Sequence, residues 1–177
     1  MMMPAALAGP MLRDTRPEFQ RLRSRHALLN GPALLRALIG ADGPLHRRTA
    51  LVSAFGAESV VLLHMVAQID PALPVIFLDT GRHFPETLAY RDQLVDRLSL
   101  RDIRTAYPDA SLLRRHDRHG RLFTDDPDFC CELRKTLPLT EELAGFAAWI
   151  TGQALPWWPA PNTGGHRAGK RDRAVQA

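Results

Sequence analysis

The chain has 177 residues, 45% of them apolar and 24% charged, with a formal net charge of +4. That size suits one domain with a substantial core, and two cysteines are too few for a disulfide framework. The basic excess is small and lies partly between His166 and Arg173, so it reads as a solvated charged end and not as a nucleic-acid surface.

Residues 17–38 carry Phe19, Leu22, Leu28, Leu29, Leu34, Leu35 and Leu38 about a helical turn apart, and Asn30-Gly31-Pro32 divides them into two helices. Gly40 to Pro44 reads as a loop, closing an N-terminal helical segment, 1–44. From residue 45 short apolar runs alternate with helical stretches. Residues 49–53 form the first expected strand, and 58–68 a helix with Val61, Leu62, Met65 and Val66 on one face. His64 falls within that helix and reads as a core-edge residue. Residues 74–78 are the clearest strand, apolar on both faces as a buried parallel strand requires. Residues 85–98 predict a helix with Pro85 in its first turn and Leu88, Leu94 and Leu98 inward. A third strand follows at 102–107, a short helix at 111–116, a polar loop at 118–127, a helix at 131–143 and a fourth strand at 147–151. This alternation predicts an α/β fold with a parallel, Rossmann-like sheet over 45–152. Residues 153–177 hold Pro156, Trp157, Trp158, Pro159 and Pro161 without any period, and read as an atypical, disordered or out-of-frame tail.

Three segments carry chemistry. Ser53-Ala54-Phe55-Gly56-Ala57-Glu58-Ser59 joins a strand to a helix, where small residues let backbone N–H groups and a helix N-terminus approach a phosphate or sulfate. The same Ser and Gly would also serve simply to cap the helix. Leu78-Asp79-Thr80-Gly81 follows the next strand, and Asp79 can accept from a ribose hydroxyl or an adenine amino group. Glu86 and Thr87 then open a helix whose macrodipole favours an acid there. Asp79 and Thr80 as plain turn caps are the alternative. Cys130 and Cys131 stand beside Arg134 and Lys135. Thiols near cations have lowered pKa values and bind metal readily, and a forked donor beside a point charge suits a sulfate or phosphate. Two idle thiols with solvated charges are the competing reading. His116, Asp117 and His119 have no regular metal-ligand spacing and receive no role.

Together these segments resemble the assimilatory adenylylsulfate and phosphoadenylylsulfate reductases. The match runs through Ser53 to Ser59, Leu78 to Gly81, Phe84-Pro85-Glu86-Thr87, Tyr90, Cys130-Cys131-Glu132-Leu133-Arg134-Lys135, Pro138-Leu139 and Trp149-Ile150-Thr151-Gly152. The resemblance implies an adenine nucleotide α-hydrolase-like fold, with the first loop on the phosphosulfate, the Asp79 turn on the adenosine, and Arg134 with Lys135 at the sulfate end. The adjacent cysteines point to the adenylylsulfate type, in which they are ligands of a 4Fe–4S cluster. Adenylylsulfate or phosphoadenylylsulfate is then the implied substrate, and thioredoxin or a glutaredoxin-type dithiol the implied electron donor. A cytoplasmic protein without membrane partner is expected, because Met1 to Ala8 lacks the basic start of a signal peptide and the longest apolar runs fall well short of a membrane span.

The chain also departs from the family. Beyond Gly152 the family continues with an Arg-rich stretch, a C-x-x-C pair and a nucleophilic cysteine, whereas no cysteine follows Cys131 here. The expectation is therefore a C-terminally truncated member with no catalytic residue of its own, half a cluster site, and weak nucleotide binding at best. A non-catalytic nucleotide-binding module or subunit is the alternative, and a homo-oligomer joining two cysteine pairs stays open. An ATP-pyrophosphatase reading is disfavoured, because Ala54, Phe55 and Ala57 replace the Ser-Gly-Gly-x-Asp-Ser loop of that class.

Overall fold

Four short strands, each dominated by β-branched or small apolar residues, assemble into one parallel sheet in the computed structural model. The structure describes residues 16–152, so the expected atypical tail at 153–177 lies outside the described residues. The strands are β1 (Thr49–Val52), β2 (Val75–Leu78), β3 (Ile103–Ala106) and β4 (Ala148–Ile150), in the order β3-β2-β1-β4. Register pairs Leu51 with Val75, Phe77 with Thr105, and Leu51 with Ile150 on its other side. The helices before the turn region are α1 (Arg16–Arg25) and α2 (Gly31–Ile39), and those crossing between strands are α3 (Ser59–Ala67) and α4 (Pro85–Leu98). Between β3 and β4 come α5 (Ala110–His116), α6 (Leu122–Asp125), α7 (Pro127–Cys131), a π-helical turn (Glu132–Thr136) and α8 (Leu137–Leu143).

The period-2 alternation of the strands sorts their side chains onto two faces. Leu51, Val75 and Phe77 point to one face and pack with Ile39 of α2, Leu63 and Val66 of α3, and Leu94 of α4. Ala50, Ile76 and Ala106 point to the other, where Leu139 and Leu143 of α8 and Phe146 cover them. Both central strands are thus shielded on each side, which is why their sequences are apolar without alternation. Successive crossovers carry the chain from β1 to β2 to β3. The long return then places β4 on the opposite side of β1, so the winding direction reverses at β1 and β4. Ligand crevices of open parallel sheets form at such reversals, beyond the carboxyl ends of the strands.

Two expectations are corrected. The inward face of α3 is Leu63 and Val66, both fully buried, whereas Val61 is 60% exposed and His64 lies in solvent. Because α3 is apolar almost all round, its period alone does not choose a face. The expected polar loop at 118–127 contains the one-turn helix α6, which Asp117 starts by accepting the Leu122 N–H.

Candidate functional site

The turn after β1 begins with Ser53, which is buried and whose Oγ accepts the Phe55 N–H at 3.1 Å. This bond supports Phe55 at φ +54°, a left-handed conformation that is a true outlier for a bulky residue. The Phe55 ring is 1% exposed and meets Phe77 of β2 edge-on, with centroids 5.8 Å apart. Packing and hydrogen bond together hold the strain, which costs about 1–3 kcal/mol at such positions. Beyond Phe55 the chain is open: Ala54, Gly56, Ala57 and Glu58 are exposed. Ser59 closes the turn with its N–H on the Gly56 carbonyl at 2.9 Å. Glu58 stands at the N-cap of α3 without a side-chain capping bond. The first amides of α3 therefore keep donor capacity at the crevice.

The turn after β2 lies on the neighbouring strand end. Asp79 continues the sheet with its N–H on the Ala106 carbonyl, and its Oδ1 accepts the Gly81 N–H at 2.9 Å. Gly81 sits at φ +71°, where a side chain would be strained. His83 Nε2 donates to the Leu78 carbonyl at 2.8 Å and its ring lies 5.0 Å from that of Phe77. Phe77 thus stands between Phe55 of one turn and His83 of the other, and couples the two loops through the core.

The cysteine segment approaches from the far side of the sheet. Asp126 caps α7 by accepting the Phe129 N–H. Cys130 is buried and Cys131 exposed, and both are free thiols. Arg134 lies in the π-helical turn, a rare conformation frequent at functional sites. Its Nη1 donates to the Thr80 carbonyl at 2.7 Å and its Nη2 to Asp117 Oδ2 at 2.6 Å, while its buried Nε has no partner. Lys135, one residue on, is exposed. The structure therefore brings Arg134 to the Asp79 turn, but with both ends of its fork occupied by the protein.

Asp117 is the residue that sequence reasoning left without a role. Its side chain is 1% exposed and also meets Arg82 Nη2 at 3.5 Å. The Arg134 hydrogen bond, the Leu122 N–H and the charges of Arg134 and Arg82 hold its carboxyl below the usual range, against the opposing effect of burial. Arg82 in turn donates to the Gly120 carbonyl at 2.6 Å and stacks over Phe123 at 4.6 Å. A signal existed: Asp117 is the one acid within Arg114-Arg115-His116-Asp117-Arg118-His119-Gly120-Arg121. An isolated acid in such a basic run is a natural counter-ion.

Among the described residues no group of three or more His, Cys, Asp or Glu is arranged to hold a metal ion. A cysteine-bound 4Fe–4S cluster takes about four thiolates. Two thiols, one inward and one outward, do not by themselves fit that group.

A parallel sheet with small-residue turns at the carboxyl ends of adjacent strands defines a Rossmann-like α/β protein. The family model for the phosphoadenosine phosphosulfate reductase domain matches residues 48–154, and the chain belongs to that family. It is 52% identical over 108 residues to an adenosine 5'-phosphosulfate reductase of Mesorhizobium japonicum, covering 61% of this chain and 42% of that protein. It is 40% identical over 149 residues to the Chelativorans sp. adenosine 5'-phosphosulfate reductase, covering 82% of this chain and 59% of that protein. A phosphoadenosine 5'-phosphosulfate reductase of Gloeobacter violaceus is 41% identical over 106 residues, 59% of this chain and 44% of its own. The chain therefore spans about half the length of these relatives. In three dimensions it is similar to the phosphoadenylyl-sulfate reductase of Candida auris, with a TM-score of 0.60 at 20% identity over 84% of this chain and 70% of that one. Among the described residues no helix is long and apolar enough to cross a membrane.

Proposed function

We propose that this chain is the sulfonucleotide-binding part of an assimilatory adenylylsulfate reductase. The observation that carries the reading is the pairing of two turns, 53–59 and 79–81, at the carboxyl ends of adjacent strands β1 and β2. The amides of Gly56 and Ala57 lie at the uncapped start of α3, where an anion would be held. Leu78, Asp79, Thr80 and Gly81 form the adenosine side, Ser53 and Phe55 fix the loop geometry, and Glu58 borders it. Lys135 supplies an exposed positive charge for the sulfate end, and Arg134 supports the adenosine turn from behind. Relatives named for adenylylsulfate and for phosphoadenylylsulfate both match, and the Cys130–Cys131 pair favours the former.

In the whole reaction a cysteine thiolate attacks the sulfate sulfur, forming a sulfur–sulfur bond and expelling AMP. A dithiol of the thioredoxin or glutaredoxin kind then attacks that cysteine's sulfur, releasing sulfite and leaving a disulfide after exchange. Residues 1–177 contain no cysteine after Cys131, so for these residues we propose nucleotide binding without turnover. Cys130 and Cys131 would supply two of the about four thiolates that a cluster takes, the others coming from outside residues 1–177.

Isothermal titration of the purified chain with AMP and with adenylylsulfate tests the reading. Saturable binding of both is expected, with adenylylsulfate the tighter. Absence of binding to either at millimolar concentration would remove it. Sulfite release with thioredoxin, measured on the same sample, would overturn the assignment of binding without turnover.

A further inference from the structure

We infer that Asp117 is a positioning residue for the nucleotide-binding turn, acting through Arg134. The inference rests on the reading of Asp79–Gly81 as the adenosine side of the site. Three separate chain segments meet at one carboxylate. Oδ1 accepts the Leu122 N–H at 2.9 Å, and Oδ2 accepts from Arg134 at 2.6 Å and lies 3.5 Å from Arg82. Arg134 carries the link onward, because its other terminal nitrogen donates to the carbonyl of Thr80 at 2.7 Å. Arg82 flanks the same turn and fastens it to the Gly120 carbonyl. The Asp79–Arg82 stretch is thereby tied to the end of α5 and to the middle of the π-helical turn.

Chemistry favours support over anion recognition for Arg134. A guanidinium reads a sulfate best when two parallel N–H bonds are free. Here both terminal nitrogens are engaged by the protein, and the side chain is 11% exposed beside a carboxylate that is 1% exposed. Releasing Arg134 to a ligand would strand the Asp117 charge in the interior, which is strongly disfavoured. Conversely, removing the Asp117 charge leaves Arg134 buried without a counter-ion and free to quit Thr80. The turn then loses the bond that fixes the Thr80 carbonyl, and the Asp79 carboxylate loses its orientation.

The test uses the full 177-residue chain and its Asp117→Asn variant, which keeps the shape and the Leu122 acceptor. Titration with AMP and with adenylylsulfate should show both weakened by the same factor, about tenfold for ~1.4 kcal/mol lost in a charged hydrogen bond. Hydrogen exchange over residues 78–84 should quicken at the same time, with the circular dichroism of the sheet retained. Arg134→Lys, which keeps the charge but cannot span Thr80 and Asp117 together, should reproduce both effects. It also decides the matter if Asp117→Asn does not fold. Weakening confined to adenylylsulfate would overturn the inference, because it would mean that Arg134 reads the sulfate. So would unchanged affinity for both ligands, as expected of a residue that only supports the fold. If the parent chain binds neither nucleotide, the functional reading fails by itself. Exchange over 78–84 then still judges the support: quickened exchange upholds it, and unchanged exchange overturns it.

Discussion

Phe55 offers the sharpest test of the loop geometry, because its two substitutions should rank in the reverse of the usual order. The ring is buried and packs on Phe77, so Phe55→Ala should cost about 3–5 kcal/mol from lost burial and the cavity left behind. Phe55→Gly loses the same ring. At ordinary strand or helix positions glycine is less stable than alanine by roughly 0.5–1 kcal/mol, through the entropy of the unfolded chain. At φ +54° the account changes. A Cβ in the left-handed region costs about 1–2 kcal/mol, which glycine escapes. The difference leaves Phe55→Gly more stable than Phe55→Ala by up to about 1.5 kcal/mol, with a midpoint of about 0.8 kcal/mol. Domains of this size have about 5–15 kcal/mol in hand, so low temperature would keep both variants measurable. Urea titrations followed by circular dichroism give the ranking directly. Alanine more stable than glycine at position 55 would refute the strained turn and, with it, the account of how Ser53 and Phe77 shape the 53–59 turn.

Three further outcomes follow from the same structure. Gly81→Ala should lower stability by about 1 kcal/mol through strain at φ +71°, since the nearest atom to an added Cβ, Arg134 Nη1 at 3.8 Å, leaves room; an unchanged urea midpoint would contradict the turn. Asp117 has its pKa lowered in the fold, so its contribution is complete above about pH 4, the unfolded value, and is lost as pH falls through the lower folded one. The difference in urea midpoint between the parent and Asp117→Asn should accordingly be constant from pH 7 to about 5 and shrink below about 4; a constant difference down to pH 2 would rule the linkage out. A thiol reagent should modify Cys131 promptly and Cys130 only on unfolding, and equal rates for the two would contradict their burial.

The sheet was legible because its signals are local. Pro74-Val75-Ile76-Phe77-Leu78 allows no helical stripe and no exposed face, and Pro85 marks the first turn of α4 where the helix begins. The two strand-end turns were legible for the same reason, since a small-residue stretch directly after a strand must lie at the carboxyl edge. The Asp117 network was not. Its partners lie 17 and 35 residues away, and a pairing at that separation depends on how the chain after β3 folds back against the Thr80–Arg82 turn. The α3 face failed for a different cause: Val60, Val61, Leu62 and Leu63 run consecutively, so only the position of the sheet decides which of them is inside.

The cysteine pair also reads differently once its helix is seen. Neighbouring positions on a helix lie roughly 100° apart, so two adjacent thiols cannot share a direction. Burial follows the helical stripe: Cys130, Leu133 and Pro138 are inside with Arg134 beside them, while Cys131, Glu132, Lys135 and Thr136 face out. The segment thus has an inner edge that ends on Asp117 and Thr80, and an outer edge that presents a thiol and an ammonium together. Cys131 with Lys135 is one turn apart at i and i+4, the spacing at which helical side chains meet. The outer edge is therefore the exposed part of the segment, and the inner edge carries Arg134 to the Thr80 carbonyl.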